Sequence, residues 1–213
     1  MKYTILMAML SVGLAACASK PVQPAWKSSA AGYLKSFSQL YLRGESGTAE
    51  AEFKRARVDM ASTGRPDLVA HAELVRCATR VASLEYDDCP GFTALAQDAT
   101  ANERAYAAYL AGRWEGIDAA LLPEQHRAMV QGKGALAAIA DPLSQLVAAG
   151  VLMKVGRMSP LDVKLATDTA SGQGWRRPLL MWLSVAHKRA SAAGDAAEAA
   201  RIQRRIDLAL VAK

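Results

Sequence analysis

Asp141-Pro142-Leu143, Ser159-Pro160-Leu161 and Arg177-Pro178-Leu179 place a proline at intervals of 18 residues. Proline suits the first turn of a helix, where its missing N–H has no intrahelical partner, and Asp or Ser just before it accepts from the orphan amides. Pro123 lies 19 residues before Pro142, and Gly194-Asp195 opens a further segment about 17 residues after Pro178. The spacing predicts helices that restart every 17 to 19 residues from Pro123 to Lys213. Each is too short to bury an apolar face alone. Stacked as antiparallel hairpins, they would share one continuous core.

Upstream the same grammar continues. Ala25 to Arg43 carries Tyr33, Phe37, Leu40 and Tyr41 at helical spacing, and Gly44-Glu45-Ser46-Gly47 breaks it. Thr48 is placed to cap a second helix with Ala49, Phe53 and Ala56 on one stripe, ended by Gly64-Arg65-Pro66. A third helix is expected from Asp67 to about Tyr86, then a turn through Asp87-Asp88-Cys89-Pro90-Gly91. Short helices follow near Phe92–Ala99 and over Ala101–Ala111, with a break from Gly112 to Gly116. Leu179, Leu180, Met181, Trp182, Leu183 and Val185 are apolar nearly all round, which predicts that their helix is the most buried.

Composition agrees. Apolar residues make up 52% of the chain and aromatics only 6%, and β-branched residues form no alternating runs, so packed helices are favoured over sheet. The expected fold class is all-α: antiparallel hairpins in a short right-handed array or in an irregular bundle.

Two consecutive helices make about 36 residues, close to the tetratricopeptide unit. Gly44-Glu45 followed by Ala49, Phe53 and Ala56 resembles the second half of such a repeat: a turn glycine, then small, bulky and small positions. Gly194-Asp195 with Ala199, Gln203 and Ile206 repeats the spacing, with Gln in the bulky place. Gly112, Ile117 and Leu121 match poorly, and the first-helix Trp is out of place in both candidates. The resemblance covers about a third of the chain and implies helical hairpins, with a peptide-binding concave face.

A second resemblance concerns the start of the chain. Met1-Lys2 precedes an uncharged, mostly apolar run from Tyr3 to Leu14, then Leu14-Ala15-Ala16-Cys17. The run has the length of a secretory leader and is too short to span a bilayer. Its end resembles the lipobox of bacterial lipoproteins at all four positions. In that family the cysteine sulfur is diacylated, the leader is cut before it, and the new amine is acylated. The resemblance thus implies a leader at 1–16, lipid on Cys17, a tether over 17–24 and one domain over 25–213. Ala18, where Asp would retain an enterobacterial lipoprotein in the inner membrane, favours the outer membrane and its periplasmic leaflet. Nine residues from Cys17 to Trp26 reach at most about 30 Å, which would hold the domain beside that surface.

Three cysteines are present. With Cys17 lipidated and the periplasm oxidising, Cys77 and Cys89 are expected to pair, the alternative being two buried free thiols. The mature chain would carry 25 Lys and Arg against 20 Asp and Glu, a charge of +5. That suits anionic neighbours such as headgroups or cell wall; nucleic acid does not fit a periplasmic address.

Chemistry-bearing patterns are sparse. His71, His126 and His187 sit in separate segments without a metal spacing such as His-Glu-x-x-His, so no metal or cofactor is expected. Ser184 and His187 fall on one helix face, but no Gly-x-Ser-x-Gly or Ser-x-x-Lys motif occurs. Gly132-Lys133-Gly134 follows no strand and is not read as a nucleotide loop. Arg43-Gly44-Glu45-Ser46 resembles the Glu-Ser signature of lytic transglycosylases, without that family's Gly-Leu-Met-Gln segment. Arg201, Arg204 and Arg205 share one side of the last helix, opposite Ala199, Ile202, Ile206 and Ala209, and offer an anionic contact. Trp175-Arg176-Arg177 offers a similar cluster.

The expected function is a non-catalytic adaptor, anchored to the outer membrane by lipid, that binds an envelope protein or peptide. Lipoproteins of that kind with helical hairpins include pilotins and β-barrel assembly accessories. The alternatives are a peptidoglycan-lytic enzyme working through Glu45 and an envelope spacer that binds anionic surfaces.

Overall fold

The structure, a computed structural model, describes residues 24–211. The leader, Cys17 and the tether before Pro24 lie outside the described residues. Those described are all-α, without strands: α1 Ala25–Arg43, α2 Ser46–Ala61, α3 Pro66–Ala82, α4 Pro90–Thr93, α5 Ala101–Leu110, α6 Glu124–Val130, α7 Pro142–Lys154, α8 Pro160–Gly172, α9 Arg176–Ala192 and α10 Ala196–Val211.

Local chemistry explains most starts. The Asp141 carboxylate accepts from the Ser144 amide at 2.7 Å, with Pro142 in the first helical position. Ser159 and Asp162 form a reciprocal capping box ahead of Pro160, and Thr100 and Glu103 form another for α5. The Asp195 carboxylate accepts from the Glu198 amide at 2.9 Å to open α10. Gly156 and Gly174, at φ of 70° and 64°, stop α7 and α8 in the left-handed region that glycine enters freely.

Several boundaries differ from the expected ones. α2 begins at Ser46, so Thr48 lies inside its first turn and caps nothing. α3 ends at Ala82, four residues before Tyr86, because Leu84 adopts φ 56°. The helix expected near 92–99 is replaced by the single turn Pro90–Thr93, starting two residues earlier, and turns follow it. Pro123 precedes α6, which stops at Val130 before the Gly132–Gly134 turn, so the regular restart begins only at Pro142. Pro178 is the third residue of α9, and Trp175 stands at its N-cap.

The helices form an irregular bundle rather than an open repeat array. α7–α8, α8–α9 and α9–α10 do pack in succession, as hairpins should. But α3 packs on α1, α2, α4, α5 and also on the distant α7, and α1 meets α9. A linear stack admits contacts with neighbouring units only. α3 therefore has apolar residues on two sides. Leu74, Cys77, Ala78 and Val81 join the main core with α5, α7 and α8, while Val69 and Ala72 join Phe37, Phe53 and Met60 of the α1–α2 hairpin.

α7, not α9, is the most buried helix. Every residue from Gln145 to Leu152 is buried, whereas α9 buries Pro178, Trp182 and Leu183 and leaves Met181 39% exposed. Gly150 makes the α3–α7 approach possible. A Cβ there would fall inside the contact radius of the Val81 carbonyl oxygen and 2.9 Å from its carbon. The Tyr86 hydroxyl donates to the Gly150 carbonyl at 2.8 Å across the same seam.

Arg177 closes the bundle. Its Nε donates to the Tyr41 carbonyl at 2.8 Å, its guanidinium pairs with Glu85 at 3.1 Å, stacks 4.1 Å over the Tyr41 ring and reaches the Ser46 hydroxyl. Beside it, Trp175 Nε1 donates to Gln39 at 3.0 Å. The Trp175-Arg176-Arg177 cluster is thus used internally at Trp175 and Arg177 and is not the exposed anionic contact its composition suggests. Burial, and then the hydrogen bond to Glu85, pushes the Tyr41 phenol above its ordinary range.

Candidate functional site

Helix periodicity puts residues i, i+3, i+4 and i+7 on one face. α8 presents Pro160, Val163, Lys164, Thr167 and Asp168 in that pattern; α9 presents Ala186, Arg189 and Ala190, with Ala193 just past its end; α10 presents Glu198, Arg201, Ile202 and Arg205. The three stripes face one another across a groove of about 510 Å³. Val163 and Ile202 are buried at its base, 2% and 3% exposed, and the small Ala186 and Ala190 keep its floor low.

The charges on its walls are partly matched. Lys164 pairs with Asp168 at 2.5 Å, and Arg201 makes two hydrogen bonds of 2.6 Å to Glu198. The Arg201 bonds hold the Glu198 carboxyl below the usual carboxylate range. Arg189 donates to the Met158 carbonyl at 2.9 Å. Arg205 makes no hydrogen bond or ion pair with any described residue, although Glu198 feels its charge. The walls thus hold four cations against two carboxylates.

Of the three arginines picked out on α10, the groove takes Arg201 and Arg205. Arg204, exposed and one residue off that stripe, does not line it. Lys164, Arg189 and the alanine floor are groove residues that the sequence pattern of α10 alone does not reveal.

The Cys77–Cys89 disulfide is formed and ties α3 to the start of α4. An Asp87 carboxylate oxygen lies within 4.8 Å of both sulfurs. Asp87 is paired with Arg80 at 3.0 Å, and the sulfurs are bonded to each other, so this trio is not built as a metal cage.

The remaining candidates stay apart. Glu45 stands just before α2, half exposed, 3.3 Å from Arg43 Nε. Ser184 donates to the Leu180 carbonyl of its own helix at 2.8 Å. His71 is exposed on α3, and His187 is half-buried on α9. His126 is 1% exposed, with its Nδ1 3.3 Å from the Tyr109 hydroxyl and its ring packed against Tyr106 and Tyr109. Burial drives its pKa down to about 4, with Asp141 pulling the other way. It is a neutral core residue.

No described helix is long and apolar enough to cross a membrane. Comparison of the chain with protein-family models, curated proteins and solved structures finds no match.

Proposed function

We propose that this chain is a lipid-anchored envelope adaptor: a bundle held on the periplasmic side of the outer membrane through acylated Cys17, which binds another protein without catalysing a reaction. The observation that carries this reading is the α8–α10 groove. It opens to solvent between α8 and α10, with charged walls above an apolar floor of Ala186 and Ala190. Sites of this size, largely apolar with a few placed polar groups, are where globular proteins take ligands.

The anchor rests on the Leu14-Ala15-Ala16-Cys17 signature. Each acyl methylene buried in lipid contributes about 0.8 kcal/mol, and one chain binds only reversibly, so the three chains of a mature lipoprotein make release negligible.

Two measurements test the reading. Mass analysis of the mature N-terminus should find a triacylated Cys17, and Cys17→Ser should leave the envelope fraction with its leader uncut. Purification of the tagged chain from membranes should then recover a stoichiometric envelope protein. Recovery of the lipoprotein-processing machinery alone would sink the adaptor.

A further inference from the structure

From the groove chemistry we infer that the partner docks an amphipathic helix between α8 and α10, its apolar face on the alanine floor and an acidic side chain on Arg205. The inference rests on the adaptor reading and specifies its partner.

Three features of the groove select this occupant. First, the floor residues Ala186 and Ala190 follow one another by a helical turn and carry no side chain beyond Cβ. They let a backbone approach closely, and the exposed Pro160 and Ala193 at the groove's edges add apolar surface for its side chains. α8 and α10 flank α9 on that side, so an added helix would lie in the trough as a fourth rod. Second, the charge is uneven. Lys164 and Arg201 already have carboxylate partners on their own helices, and Arg189 is held by a backbone carbonyl. Arg205 has neither, so an incoming carboxylate finds a cation that is already facing the groove. Third, that carboxylate would sit beside apolar floor, where a paired charge is less screened than on open surface. A basic or neutral helix would leave Arg205 unmatched and face the four-to-two excess of cations.

The test places a photo-crosslinking amino acid at position 193, exposed at the end of the groove and clear of the floor at Ala186 and Ala190, of the full-length chain in the envelope of the cells that make it. The crosslinked segment is then mapped by mass spectrometry. The expected adduct is an apolar helical segment with Asp or Glu on one flank. Arg205→Glu should lower its yield at least tenfold, while Arg204→Glu, one residue away and outside the groove, should leave it unchanged. Equal losses from both variants would mean diffuse attraction rather than a groove contact and would overturn the inference. So would a mapped segment without acidic residues, or an adduct with lipid. Capture from positions elsewhere on the surface but not from position 193 would overturn the groove and spare the adaptor. Failure to capture protein from any position would overturn both.

Discussion

Gly150 of α7 lies so close to Val81 of α3 that no side chain fits between them. The two helices are joined in sequence by about 60 residues, yet their backbones meet here. Gly150→Ala would push a methyl into the Val81 carbonyl and strain the Tyr86 bond on the same peptide. The expected loss is about 2–3 kcal/mol in urea unfolding, the usual scale of overpacking. Glycine-to-alanine at exposed helical Gly32, where an added Cβ meets nothing, should instead be neutral or stabilising by up to about 1 kcal/mol.

The disulfide gives a second prediction. Cys77 and Cys89 close a loop of 12 residues, worth about 3 kcal/mol in the chain-entropy account. Dithiothreitol should lower the unfolding free energy of the native chain by that amount, read as a lower urea midpoint, and leave a Cys77→Ala/Cys89→Ala variant unaffected. An equal effect of the reductant on both would place the stabilisation elsewhere.

Acid should weaken the bundle through His126. Its folded pKa of about 4 is below the unfolded value of about 6.5, so the unfolded chain binds the extra proton between the two. The contribution is therefore full above about pH 6.5 and is lost as pH falls to about 4. It amounts to about 3 kcal/mol for the whole span. Unfolding measured across pH 7.5 to 4.5 should show this slope, and His126→Gln should flatten it.

Arg177 should be poorly replaced by Lys. The guanidinium serves Tyr41, Glu85 and Ser46 at once, which a single ammonium cannot copy. Arg177→Met should cost about 2–3 kcal/mol, because Glu85 keeps a partly buried charge with less compensation. Adding Glu85→Gln should return part of the loss, which a double-mutant cycle in urea would measure.

The adaptor reading also makes a prediction about Glu45. Muropeptide release by the purified domain should be absent, and Glu45→Gln should change nothing. Release that disappears in the variant would replace the adaptor by a lytic enzyme.

Features set by neighbours in sequence were legible and those set by distant ones were not. Asp141 and Ser159 announce α7 and α8 because a cap acts within three residues. The start of α5 was expected at Ala101, but the Thr100-x-x-Glu103 capping box that sets it went unread, because apolar periodicity does not register such a pair. Nothing local marks Gly150 as the point where α3 arrives, since a glycine in an apolar run carries no trace of its partner. The apolar stretch of α9 looked deepest because it has the larger side chains, but small residues of α7 are what the crowded centre admits. For the groove, Arg201 and Arg205 were legible as a basic side. That Arg204 leaves the site follows from a rotation of about 100° per residue, and could be assigned only once the stripe facing α8 was known.

Trp175 and Gln39 meet across 136 positions of sequence. A chain emerging from the ribosome N-terminus first has made α1 and α3 long before the strap that fastens them exists. Until α7 and α9 arrive, Leu42, Leu74 and Val81 are only partly covered, by helices that precede them, so completion of the body is a late event. Truncation anywhere before α9 should therefore yield a sticky, protease-sensitive fragment instead of a smaller version of the same object.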